Sequence, residues 1–206
     1  MVADVSDRRS LQYIWRSPVF TSMPADLNRA DLADRIKQSI RDVKDYPKPG
    51  VIFKDITPVL ANPSLRKEIV GSLIETFGDQ QIDAIASTEA RGFIFGSILA
   101  YELGCPFILV RKAGKLPYRT RSQEYALEYG TATVEMHVDA VKPGWRVLVH
   151  DDLLATGGTA GATAELIQKS DGIIAGFSFI INLSFLPGAE NLRKKFGIDS
   201  HFLVSY

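Results

Sequence analysis

Apolar and polar positions alternate along this chain with two different periods, and the switch between them marks out its elements. After a polar, proline-punctuated start, a helical period fits Ala30–Val43. It stops before Tyr46-Pro47-Lys48-Pro49-Gly50, where two prolines and a glycine forbid regular structure. Asn62-Pro63-Ser64 opens a second helix, with Leu65, Ile69, Leu73 and Phe77 on one face and Gly78 where a helix-ending residue belongs. From there the pattern predicts a buried strand at Ile82–Ser87, a helix at Arg91–Leu103 closed by Gly104, and a strand at Pro106–Arg111. Thr131–Val138 alternates with period two. Beyond the turn Lys142-Pro143-Gly144 come a short apolar strand at Arg146–His150, a helix at Thr159–Lys169 and an apolar strand at Ile173–Leu183. A helix around Ala189–Phe196 and a strand at His201–Val204 complete the series. Strands alternating with helices imply an α/β fold: an open, mostly parallel twisted sheet flanked by helices. Ligands of such sheets sit beyond the carboxyl ends of the strands.

Composition narrows the function classes. At 206 residues the chain is one domain, residues 31–206, behind an N-terminal extension of residues 1–30. Lys+Arg and Asp+Glu are 24 each, so no net field draws the chain to nucleic acid or to anionic lipid. A lone cysteine, Cys105, excludes internal disulfides and Cys-based zinc sites. No apolar run is long enough for a membrane span, and the N-terminus lacks the apolar core of a secretory signal, which makes the cytoplasm the expected location.

The strongest chemical signal follows the strand at Arg146–His150. Asp151 and Asp152 precede Leu153, Leu154 and Ala155, and then Thr156-Gly157-Gly158-Thr159 lead into an alanine-rich helix. The two glycines let backbone amides close around a phosphate, the helix start directs unpaired N–H groups there, and the threonines add hydroxyls. Two carboxylates would repel phosphate, so they face something else, and vicinal ribose hydroxyls are their natural partner. The loop is neither a P-loop nor a dinucleotide fingerprint, since Gly-Lys-Ser/Thr and G-x-G-x-x-G are both absent. A plain helix cap would explain the loop too, but these six residue types coincide by chance in roughly one window in ten million.

A second concentration lies at Arg111, Lys112, Lys115, Arg119 and Arg121, with no acid among them. It reads either as a polyanion clamp or as a solvated basic loop. Glu89-Ala90-Arg91-Gly92 follows a buried strand and begins a helix, another place for anion capture, where Arg91 can grip two phosphate oxygens at once. His150 reads as a strand residue, Cys105 as inert core, and Asn182-Leu183-Ser184 as a glycosylation pattern without consequence in the cytoplasm.

The segment Asp151–Thr159 resembles the phosphoribosyl-diphosphate (PRPP) motif of the type I phosphoribosyltransferases. Pro49–Pro58, Glu89–Gly96, Arg111–Pro117 and Leu127–Gly130 narrow the resemblance to those members that act on adenine. It runs from about Ile36 to the C-terminal residue. It implies that fold, with a small hood over about residues 31–60 and a flexible catalytic lid over about residues 114–130 that includes Tyr129. It implies transfer of the 5-phosphoribosyl group from PRPP to N9 of adenine, giving AMP and diphosphate in purine salvage. Asp151, Asp152, Ala155, Thr156, Gly157, Gly158 and Thr159 would hold the ribose 5-phosphate. Glu89, Ala90, Arg91, Arg111, Lys112 and Lys115 would surround the diphosphate, with a cis peptide between Glu89 and Ala90.

By the same resemblance Glu128 handles the proton on N7 of the base, although its local sequence also suits an ordinary solvated acid. Phe53 would stack on adenine, backbone groups of Ile52 and Lys54 would read its edge, and Leu153 would cover the other side; Phe53 equally suits plain core. Mg²⁺ is the implied cofactor, held by substrate and water with Asp151 as the candidate protein contact, and a homodimer is the implied assembly. The rival readings are the same fold acting on hypoxanthine or xanthine, and a non-catalytic sensor of PRPP or nucleotides.

Overall fold

The computed structural model describes residues 29–126 and 130–206. Seven strands form the main sheet: β3 (Ala84–Thr88), β4 (Phe107–Lys112), β5 (Thr120–Ala126), β6 (Thr131–His137), β7 (Arg146–Leu154), β8 (Ile173–Asn182) and β9 (Ser200–Ser205). Their spatial order is β5-β6-β4-β3-β7-β8-β9. The pairs from β4 through β3, β7 and β8 to β9 are parallel, and β6 and β5 join antiparallel at one edge. Two short strands, β1 (Arg41–Lys44) and β2 (Ile52–Asp55), form a separate antiparallel ribbon. The helices are α1 (Arg29–Ser39), α2 (Thr57–Ala61), α3 (Pro63–Phe77), α4 (Gly92–Leu103), α5 (Gly158–Gln168) and α6 (Gly188–Phe196).

The apolar pattern is spent on the two sides of the sheet. Along β7, Val147 and Val149 enter one buried cluster with Ala160, Ala164 and Ile167 of α5, while Leu148 enters the other with Ile69 and Leu73 of α3 and Phe95 and Leu99 of α4. A parallel sheet covered on both sides needs apolar residues at consecutive positions, which is why these strands read as near-continuous runs. Helix α3 follows its sequence signals: the Asn62 side chain accepts from the Leu65 amide at 3.1 Å, and Leu65, Ile69, Leu73 and Phe77 are all buried.

Four departures from the sequence expectation have physical causes. The helix expected to Val43 ends at Ser39, because residues 41–44 pair with residues 52–55, setting Arg41 opposite Asp55 and Asp42 opposite Lys54. Opposite charges across an antiparallel pair stabilise strand over helix there. The segment Gly114–Gly130, read as irregular, contains β5, matched to β6 from Thr120↔His137 to Ala126↔Thr131. Being polar on both faces, β5 carries no hydrophobic alternation to announce it. Strand β7 runs past His150 to Leu154, since its pairing with β8 continues to Leu154↔Asn182, so both aspartates lie within a strand. The short α2 had no separate signal. The reading of residues 1–28 as an extension lies outside the described residues.

Helix α4 sits close on the sheet because of Gly96, where a Cβ would overlap the Ser87 hydroxyl and lie 3.1 Å from the Phe107 ring. Gly96→Ala is therefore expected to destabilise the protein by about 1–3 kcal/mol, read as a lower urea midpoint at unchanged m-value.

Candidate active site

The carboxyl ends of β3, β4 and β7 converge on one cavity of about 240 Å³. Eight of the expected site residues line it: Glu89, Ala90, Arg91, Lys112, Asp151, Asp152, Leu153 and Thr159. The Glu89–Ala90 peptide is cis.

The two aspartates are fixed differently. Asp151 accepts a short hydrogen bond from the Thr88 hydroxyl through Oδ2, and its Oδ1 accepts the Asp152 amide at 2.8 Å. Gly92 presses against the same carboxylate, where a Cβ would lie 2.6 Å from Oδ1. Asp152 is buried, and Arg91 Nε lies 2.9 Å from its Oδ2, an oxygen that has no well-directed hydrogen bond. Burial and the adjacent Asp152 carboxylate push Asp151 well above the usual carboxylate range. Burial raises Asp152 as well, opposed by the Arg91 charge. A half-buried carboxylate beside a buried one whose Oδ2 lacks a hydrogen bond suits a ligand that donates hydrogen bonds, as a sugar diol does.

Glu89 and Arg111 brace each other. Burial pushes Glu89 upward, but the Lys112 amide and the Arg111 guanidinium outweigh it and hold the carboxyl below its ordinary value. The Lys112 amide donates to Oε1 at 2.8 Å, and Arg111 Nε and Nη2 both lie 2.8 Å from Oε2. Arg111 Nη1 also donates to the Lys115 carbonyl at 2.8 Å. Arg111 thus spends its charge on shaping the loop that carries the lysines, and does not line the cavity. Lys112 does, and its charge also acts on Glu89. Lys115 lies outside the cavity lining.

Thr156, Gly157 and Gly158 line a neighbouring groove of about 440 Å³ that continues along α5 and α6. Gly157, at φ +82°, caps α5 with no side-chain hydrogen bond, which leaves first-turn amides open to an anion. Helix α6 supports this loop from behind: Asn191 Nδ2 donates to the Thr156 carbonyl at 3.0 Å, and at Gly188 a Cβ would collide with the Ala155 carbonyl. Strand β5 leans on it from the front, with the Tyr125 ring 2.9 Å from where a Gly158 Cβ would be.

Ile52, Phe53 and Lys54 stand on the β1–β2 ribbon and do not line the cavity. Phe53 is linked to it through Arg91, whose guanidinium carbon lies 4.8 Å from the ring centroid. Arg91 thereby touches both Asp152 and Phe53. Glu128 and Tyr129 lie outside the described residues. Thr88, Tyr125 and Asn191 were missed from sequence. Thr88 carried a usable signal, the last position of a buried strand, whereas Tyr125 and Asn191 act through tertiary contacts that no local pattern reveals. His150 is fully buried in β7, its Nδ1 3.2 Å from Ser178 Oγ, and burial pushes it down to about 4. It is a neutral strand residue, as expected.

Residues 56–183 match the phosphoribosyl transferase domain, and the chain belongs to that family. More particularly, its relatives include the adenine phosphoribosyltransferase of Cytophaga hutchinsonii, 56% identical over 161 residues that cover 78% of this chain and 89% of that one. The crystal structure of adenine phosphoribosyltransferase from Thermoanaerobacter pseudethanolicus matches with a TM-score of 0.81 at 46% identity, covering 84% of this chain and 99% of the other. The enzyme of Saccharomyces cerevisiae, solved with an imino-altritol bisphosphate and adenine, matches with a TM-score of 0.77 at 35% identity over 84% and 99% of the two chains.

The raised Asp151 has a consequence for stability. Its charged form is disfavoured by folding, so the ligand-free protein loses stability as pH rises from about 4 through the elevated value. Asp151→Asn removes that charge. The variant is expected to melt higher than the unsubstituted protein at pH 8 by roughly 2–4 °C, with the gap closing toward pH 4; calorimetry across that range checks it.

Proposed function

We propose that this chain transfers the 5-phosphoribosyl group of PRPP to N9 of adenine, forming AMP and diphosphate. The observation that carries the reading is the pair Asp151–Asp152 in a cavity that Lys112 and Thr159 also line, next to a groove that holds the open helix start at Gly157-Gly158, so that acceptors for a diol are flanked by donors for phosphate on either side. The names of the relatives supply the base.

In this reading the amides and hydroxyls of residues 155–159 hold the 5-phosphate, and Asp151 and Asp152 accept hydrogen bonds from the ribose hydroxyls. Lys112, Lys115, Arg91 and the Glu89–Ala90 backbone face the diphosphate, whose negative charge grows as the bond from C1′ breaks. Arg91 leaves Phe53 when it turns to that charge, which frees the ring for adenine, and Leu153 covers the opposite face. The ribbon and the segment 114–130 act as hood and lid. Glu128, which falls in sequence between Ala126 of β5 and Thr131 of β6, manages the N7 proton, its basicity raised by exclusion of water. A main-chain acceptor facing the exocyclic amine disfavours hypoxanthine, whose keto oxygen would meet a second acceptor.

Mg²⁺ fits this donor set as a substrate-borne ion. Among the described residues no three metal-binding side chains cluster, while Asp151 borders the cavity and can reach a hydrated cation there. Bound to the diphosphate, Mg²⁺ supplies charge neutralisation to the leaving group. A homodimer is part of the same proposal, supported by large apolar side chains left in water at Tyr101 and Leu109. So is a cytoplasmic location; no helix among the described residues is long and apolar enough to cross a membrane.

Incubating the protein with PRPP, Mg²⁺ and each free nucleobase is expected to yield AMP from adenine and little product from hypoxanthine or xanthine; IMP or XMP as the main product overturns the base assignment. Glu128→Gln is expected to lower kcat about 10²–10⁴-fold with PRPP affinity retained. An unchanged kcat removes Glu128 from the mechanism. Lys112→Ala with Lys115→Ala is expected to weaken inhibition by diphosphate, measured against PRPP as the varied substrate.

A further inference from the structure

The β1–β2 ribbon has four residues in each strand and no hydrogen-bonded partner in the seven-stranded sheet. A two-stranded ribbon is marginal by itself in water, and none of its residues is fully buried. The ion pairs Arg41–Asp55 and Lys54–Asp42 join its own two strands and do nothing to place it against the rest of the molecule. The buried flanking residues Ile40 and Ile56 and the Arg91–Phe53 contact tie it to the rest of the molecule, and Tyr206 adds a further tie.

Tyr206 is anchored by its backbone to the main sheet. Its amide donates to the Asn182 carbonyl at 3.0 Å, and its carbonyl accepts the Ser184 amide at 2.8 Å and the Ser184 hydroxyl at 2.5 Å. Asn182 is in turn tied to β9 through Ser205 Oγ at 3.2 Å. The backbone of Tyr206 therefore continues the edge of the main sheet, just past the end of β9 and tied to the end of β8. Its half-buried ring projects to the ribbon, and Lys54 Nζ lies 3.8 Å from the ring centroid, with Lys37 Nζ of α1 at 5.8 Å. The Lys54 side chain is only 11% exposed, its ammonium enclosed between the ring and the Asp42 carboxylate 2.7 Å away. A cation drawn out of water over an aromatic face is held more strongly than an exposed one.

We propose that Tyr206 is a positioning residue for the base subsite: by gripping Lys54 it ties β2 to the β8–β9 edge of the main sheet, and so sets where Phe53 stands relative to Leu153 of β7. The inference rests on the reading that Ile52–Lys54 bind the nucleobase. It assigns Tyr206 no contact with PRPP, because the ring reaches the ribbon and none of the residues around the phosphates.

The test uses the full chain with Tyr206→Leu, which removes the aromatic face, and Tyr206→Phe, which keeps it. Tyr206→Leu is expected to raise KM for adenine about tenfold with KM for PRPP within about twofold, and Tyr206→Phe is expected to restore the original values. Amides of residues 41–55 should exchange hydrogen faster in Tyr206→Leu, while those of β7 and β8 keep their protection. Lys54→Met, which deletes the cation and leaves the ring, should reproduce both effects, and it decides the matter if Tyr206→Leu does not fold. Unchanged KM for adenine in a folded Tyr206→Leu, or an equal rise in both KM values, overturns the proposal. If the unsubstituted protein makes no AMP, the functional reading fails by itself, and the exchange rates of residues 41–55 still judge the grip of Tyr206 on the ribbon.

Discussion

Setting a half-buried carboxylate beside a buried one at the end of a strand is unfavourable, and the arrangement around Asp151 and Asp152 is best understood as the set of contacts that make it tolerable. Thr88 and the Asp152 amide hold one carboxylate, Arg91 faces the other, and Gly92 gives up a side chain so that helix α4 can begin beside them. None of these contacts removes the cost entirely, since both groups remain shifted upward. A ligand that brings hydroxyl donors relieves what the protein leaves unrelieved. In the proposed function, that relief favours recognition of a sugar.

The basic residues divide their work in a way that a count of charges hides. Arg111 is consumed by Glu89 and by the Lys115 carbonyl, and its effect on a ligand is indirect, through the loop it shapes. Lys112 stands at the cavity wall, its charge shared with Glu89. Arg91 lies between the two regimes: it faces Asp152 and covers Phe53, so any anion that attracts it changes the surroundings of both residues at once.

Much of this was legible beforehand because the local rules and the tertiary structure agree. The period of apolar residues along α3, the continuous apolar runs of β3 and β8, and the glycine-rich turn after β7 each have one physical solution, and the fold adopts it. The misreadings fall where local preference is weak. Strand β5 is polar on both faces and is a strand only because β6 lies beside it; residues 41–44 continue a helical pattern, yet cross-strand charge pairs turn them into β1. The pairing of Glu89 with Arg111, the clamp of Thr88 on Asp151 and the support of Thr156 by Asn191 join residues distant in sequence, and no motif specifies them.

The separation of the β1–β2 ribbon from the main sheet bears on how such a protein can change over time. In the proposed function, the residues assigned to sugar and phosphate stand on or just after strands of the main sheet, where a shift in one place disturbs many others. Those assigned to the nucleobase rest on a small appendage, so that mutations there would retune which ring system is accepted while the machinery for the common donor stays untouched.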